Sequence, residues 1–254
     1  TSASFAETPS PTCMNFEADT IYLKELPAGM RRLAAGSVDL VLTDVRRLSK
    51  SPTRAAKPGT EPAAEGLLPF LVDCQRVLNT VNAFFFAEKA QLSTFIGFAE
   101  QQGLAWDFYV WEHGQRAHAL STDCSLIISL WERGAYFNPE YKSAFFKKVK
   151  HYAGAGPEAG HSKPQALIEE LLLQRSRPGD LVLDPLAGHG MVPYVCRLHR
   201  RHFLAFEGNP VAYGVARQLM LGQAEDEEDP TAPPSGRRRG NGGSDASQLR
   251  MNYG

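Results

Sequence analysis

Three observations predict an α/β fold built on a mostly parallel sheet with helices on both faces. Short apolar runs alternate along the chain with segments of helical character. The strand-like runs, such as Val38-Asp39-Leu40-Val41-Leu42-Thr43 and Ala83-Phe84-Phe85-Phe86-Ala87, are nearly continuous in apolar residues rather than alternating, as strands buried on both faces are. Three of the runs end on acids, Asp44, Asp184 and Glu207, and ligands of such sheets bind at strand carboxyl ends.

The elements follow in order. Leu23–Leu33 reads as a short amphipathic helix, and 38–43 as a strand that ends at Asp44. Residues 48–65, rich in Ser, Pro, Ala and Lys, form a long loop. A helix over 67–78 precedes a strand at 83–87, and a helix over 91–102 stops at Gly103. Strands at 106–111 and 125–131 come next. A helix over 164–174, a strand at 181–184, a helix over 192–198, a strand at 203–207 and a helix over 210–221 complete the series.

The 254 residues, 43% hydrophobic and 22% charged with a net charge of −1, have length enough for one globular domain with a sizeable core. The ends differ from the body. Residues 1–15 are small, polar and Pro-punctuated, a flexible N-terminal segment, and 223–254 are an acidic, Pro- and Gly-rich tail expected to be disordered. Both are net negative, so the domain at 16–222 carries +2. No run of 18 apolar residues suggests a membrane span. The four cysteines, Cys13, Cys74, Cys124 and Cys196, form no C-x-x-C pair, which predicts packed, reduced thiols in an intracellular protein and no metal site.

The most informative stretch is Pro178-Gly179-Asp180-Leu181-Val182-Leu183-Asp184-Pro185-Leu186-Ala187-Gly188-His189-Gly190. A strand runs into a G-x-G turn that opens a helix, and a second strand then ends on Glu207. Glycines let a cofactor approach the backbone, helix N–H groups favour an anionic group, and the later acid can accept hydrogen bonds from ribose hydroxyls. Together these features predict a nucleoside cofactor.

With His161-Ser162-Lys163-Pro164 upstream and FLAFEGNP downstream, this half resembles the cofactor half of the beta-class DNA amino-methyltransferases. That family transfers a methyl group from S-adenosylmethionine to adenine N6 or cytosine N4. The opening Ala18-Asp19-Thr20 and KELPAGMRRLAAGSVDLVLTD resemble the family's first segment, so the likeness covers about residues 15–221. It implies a Rossmann-like class I methyltransferase fold with a seven-stranded sheet. It also implies that Gly188 and Gly190 shape the methionine-binding turn, that Asp184 belongs to the cofactor site and that Glu207 holds the ribose. Asp19 would lie near the adenine, Lys163 near the cofactor's methionine end, and Asp44 with the Val45 carbonyl at the reacting amine.

The chain departs from the family at the catalytic strand. Asp-Pro-Pro followed by an aromatic residue is expected, and Asp44-Val45-Arg46-Arg47 stands here. An exocyclic amine is a poor nucleophile until a carboxylate and a backbone carbonyl accept its hydrogens, while the prolines stiffen the loop and the ring stacks on the extruded base. The acceptors survive; the stiff pair and the ring do not. Two readings follow: a methyltransferase homologue whose activity is in doubt, or a catalytically inactive subunit that binds nucleic acid or assembles with a catalytic partner. In the second, Arg46 and Arg47 are candidates to fill the cofactor cleft. For binding DNA or RNA, the candidate is a short target-recognition-like insert at about 133–160. The stretch from Arg133 to Lys163 carries +4, with Lys142, Lys147, Lys148, Lys150 and Tyr152 as the contact residues.

Overall fold

The computed structural model describes residues 16–24, 29–49, 66–112, 124–141, 149–151 and 163–226. Eight strands form one sheet. They are β1 (Thr20–Leu23), β2 (Leu40–Asp44), β3 (Asn82–Ala87), β4 (Ala105–Glu112), β5 (Cys124–Trp131), β6 (Val149–His151), β7 (Leu181–Asp184) and β8 (His202–Glu207). Their order is β1-β8-β7-β2-β3-β5-β4-β6, and only β5 runs antiparallel to its neighbours. The helices are α1 (Leu67–Val77), α2 (Leu92–Gln102), α3 (Gln165–Arg175), α4 (Met191–Leu198) and α5 (Pro210–Asp226).

The apolar strands are buried from both sides. On one face Val41, Phe85, Leu183 and Phe206 pack against α1 and α2 through Phe70, Leu71, Phe95 and Phe98. On the other, Leu40, Leu42, Phe84, Phe86, Val182 and Ala205 meet α3, α4 and α5 through Leu167, Leu171, Val195 and Ala216. Neighbouring residues of one strand thus fill opposite cores. Gly103 ends α2 at φ +65°, and its N–H caps the Ala99 and Glu100 carbonyls, a conformation that costs any residue with a Cβ.

Two strands lie where none was read. The first replaces the start of the helix expected from Leu23. Residues 20–23 pair in parallel with β8 from Leu204 to Glu207, and helical turn geometry is confined, among the described residues, to 29–30. Met30 and Leu33 are nevertheless buried, so their spacing marked core contacts without marking a helix. The other is β6, three residues on the far edge beside β4, which makes the sheet one strand wider than seven. Helix α5 continues to Asp226, past 222, where the tail was expected to begin.

Candidate active site

β8, β7 and β2 are adjacent and parallel, so their terminal acids Glu207, Asp184 and Asp44 line one edge of the sheet. The turn after β7 meets Glu207. The Gly188 N–H donates to Glu207 Oε2 at 2.7 Å and the Asn209 N–H to Oε1 at 2.7 Å, which fixes the carboxylate and leaves each oxygen a second lone pair. Gly188 has φ +54° and nothing within 4 Å of the place a Cβ would take. The space above this turn is open. Gly190, at φ +82°, is tied to packing: a Cβ there would lie 2.8 Å from the Ala216 Cβ, so its bare backbone lets α4 start against α5.

Asp184 is 4% exposed. The Thr43 hydroxyl donates to its Oδ1 at 2.7 Å and the Leu186 N–H at 3.2 Å. Burial pushes its pKa up to about 7, against the opposing pull of Thr43 and Lys163. Lys163, just before α3, does not reach the cofactor turn by any described hydrogen bond. Its ammonium lies 2.5 Å from Asp44 Oδ2 and 4.5 Å from the centre of the Phe86 ring. Burial lowers its pKa, and the Asp44 charge works against that.

Asp44 is clamped. Arg46 Nε donates to Oδ1 at 3.0 Å and its NH2 to Oδ2 at 2.6 Å, while the Arg46 backbone N–H reaches Oδ1 at 3.1 Å. With Lys163, four donors meet the roughly four lone-pair sites of one carboxylate. Burial by itself would raise the Asp44 pKa; Lys163 and Arg46 outweigh it and hold the group well below the usual carboxylate range. The Val45 carbonyl is equally engaged, accepting from the Leu48 N–H at 2.9 Å and from Gln91 Nε2 at 2.8 Å. Gln91 is set by a capping box with Glu88 ahead of α2, a pairing visible as Glu-x-x-Gln but not singled out from the sequence.

Two expectations are corrected here. Asp19 does not approach the cofactor edge. It precedes β1 and sits at the amino end of β8, where its carboxylate accepts from the Phe203 N–H at 3.2 Å and pairs with His202 Nδ1 at 2.8 Å. The residue at the carboxyl end of β1 is Lys24, whose N–H donates to the Glu207 carbonyl at 3.1 Å. Arg46 does not fill the cofactor cleft either. Its NH1 donates to Ser125 Oγ of β5 at 3.2 Å, across β3 from β2 and away from β7 and β8. Its charge is met by Asp44, and no ion pair with Asp184 or Glu207 is described. The Arg47 side chain lies outside the described residues, as do Lys142, Lys147, Lys148 and Tyr152 and the side chain of Lys150.

The parallel strand order with acids at adjacent carboxyl ends defines a class I methyltransferase fold, and solved structures share it. M1.HpyAVI in complex with its cofactor aligns at a TM-score of 0.61 with 20% identity, over 79% of this chain and 98% of that one. The cytosine-N4-specific PvuII DNA methyltransferase aligns at 0.62 with 12% identity, over 80% and 86%. The family model N6_N4_Mtase, DNA methylase, matches residues 110–218. The type II methyltransferase M.HpaI of Haemophilus parainfluenzae is 24% identical over 221 residues, 75% of this chain and 70% of that protein. M2.DpnII of Streptococcus pneumoniae is 29% identical over 94 residues, and the match spans only 33% of its length. Over these stretches the chain is similar to N6/N4 DNA amino-methyltransferases.

Proposed function

We propose that this chain binds S-adenosylmethionine but does not transfer its methyl group, and serves as a nucleic-acid-binding or assembly subunit. The observation that carries this reading is the saturation of both amine acceptors. A base amine must donate to the Asp44 carboxylate and to the Val45 carbonyl before its lone pair can turn towards a methyl donor. Arg46 and Lys163 take the first; Leu48 and Gln91 take the second. The Arg46 guanidinium, planar and bidentate, presents to Asp44 the N–H groups that a base would bring. Neither proline nor aromatic ring stands at 45–47 to hold and stack a base.

The cofactor half, by contrast, fits its ligand. Open space over Gly188 admits a group against the backbone, and Glu207 keeps lone pairs for ribose hydroxyls. Bound there, S-adenosylmethionine would supply a sulfonium methyl group. The protein's part is to orient the nucleoside through Glu207, whose carboxylate is fixed by the Gly188 and Asn209 N–H groups. Because Arg46 is neutralised by Asp44 rather than aimed at the cleft, its charge does not oppose a cationic ligand there.

Calorimetric titration tests the binding half. Saturable S-adenosylmethionine binding, weakened at least tenfold by Glu207→Ala, is expected. Heat indistinguishable from dilution at millimolar ligand would refute it.

A further inference from the structure

We infer that single-stranded nucleic acid binds at the opposite end of the sheet from the three acids, on the surface formed by residues 131–141, 176–180 and 199–202. The inference rests on the proposed function only for the class of partner, and it places that partner away from the catalytic edge.

Three loops converge there at the amino ends of β7 and β8. Asn138 binds the Gln174 and Leu173 carbonyls through its N–H and side-chain amide at 2.8 and 3.0 Å, which docks the first loop on the end of α3. The Gly179 N–H donates to the Arg200 carbonyl at 2.8 Å, joining the second loop to the third. At the joined surface Arg133, Arg177 and Arg200 are exposed and Arg175 and Arg201 lie buried beneath, against Glu132, Glu140, Asp180 and the Asp19 carboxylate on His202. The Glu132 carboxylate is turned inward onto the Val81 N–H at 2.7 Å, and Asp180 accepts from the Arg177 N–H at 2.7 Å.

Two of these arginines are buried with no carboxylate among their hydrogen-bond partners, though the Asp180 charge acts on Arg201. Arg175, 1% exposed, donates to Asn82 Oδ1 and Ser129 Oγ and stacks 3.9 Å from the Phe137 ring centre and 5.0 Å from that of Trp131. Arg201, 6% exposed, donates to the Ser176 and His199 carbonyls and to Ser176 Oγ. A buried cation without a carboxylate partner is costly, and Arg175 is such a cation beneath this surface. Arg133, Arg177 and Arg200 are exposed on that surface. Arg177 stacks 4.2 Å over Tyr136, and Phe137 remains 38% exposed. Exposed arginines beside aromatic rings make a pattern that holds unpaired strands: charge meets the backbone and rings stack the bases. Duplex recognition would need an element to enter a groove, and these loops present no projecting helix or ribbon.

Fluorescence anisotropy with labelled 20-nucleotide single strands, one RNA and one DNA of the same sequence, tests this with the full chain. Arg177→Glu/Arg200→Glu is expected to weaken binding at least tenfold and to reduce the salt slope by about 1.4. Arg217→Glu, on exposed α5, is expected to change affinity less than threefold. The RNA and DNA arms identify which strand is preferred. No binding by the wild type, equal binding by the double variant, or an equal loss with Arg217→Glu would overturn the inference. Circular dichroism confirms that each variant is folded. S-Adenosylmethionine calorimetry on the double variant should match the wild type, so failure here is distinguishable from failure of the cofactor reading.

Discussion

Asp44→Asn removes the charge that holds Arg46 and Lys163 together. The side chains of Lys163, Asp44 and Arg46 are 12%, 21% and 29% exposed, so two cations would be left facing an amide in a mostly water-poor site. Breaking one partner out of a fully buried pair costs about 3–5 kcal/mol. The residual exposure lowers this to about 2–4 kcal/mol, or roughly 4–16 °C in Tm for a domain of this size. Urea denaturation followed by circular dichroism at pH 7 measures the loss. The Asp44 pKa is depressed in the folded state, so its stabilisation is complete above the unfolded value near 4 and is lost as pH falls below it. The gap between wild type and variant should therefore narrow between pH 4 and pH 3. A cost under about 0.5 kcal/mol at pH 7, or a gap that stays constant on acidification, would refute the clamp.

Asp184 has the opposite sign, since burial raises its pKa from 3.8 to about 7. Wild-type stability should fall by on the order of 4 kcal/mol at most as pH rises from about 4 to above 7. Asp184→Asn keeps an acceptor for Thr43 and Leu186; it should flatten that slope and exceed the wild type in stability at pH 8, as read from urea midpoints across the range. Gly190→Ala would place a Cβ at φ +82° and 2.8 Å from the Ala216 Cβ. Strain and overpacking together predict a loss of about 2–4 kcal/mol by thermal melt, whereas Gly188→Ala, with open space above it, should lose only the smaller conformational part.

The second half of the fold was the more legible. The run 181–184, the G-x-G turn and the strand ending at Glu207 are local features: a continuous apolar strand, two glycines at positive φ and an acid at a strand end. Each speaks through its own few residues. β1 was hidden because four residues ending in Leu23 share their apolar positions with a helical pattern, and only pairing with β8 selects the strand. Asp19 was misplaced for the same reason: its position relative to the cleft depends on which end of β1 it occupies. The clamp itself was half visible. Arg46 next to Asp44 marked a departure from the catalytic loop, but the sequence does not say which way a guanidinium turns. That Lys163 closes on Asp44 from 119 positions away, and that Gln91 takes the Val45 carbonyl, are consequences of the sheet order and of a capping box, both tertiary.

Methyl transfer from tritiated S-adenosylmethionine to mixed-sequence DNA and RNA, at saturating cofactor, tests the central claim most directly. The account predicts no incorporation above the no-enzyme control for the wild-type chain, because both acceptors of the amine are already occupied. Steady incorporation that Asp44→Asn abolishes would contradict it.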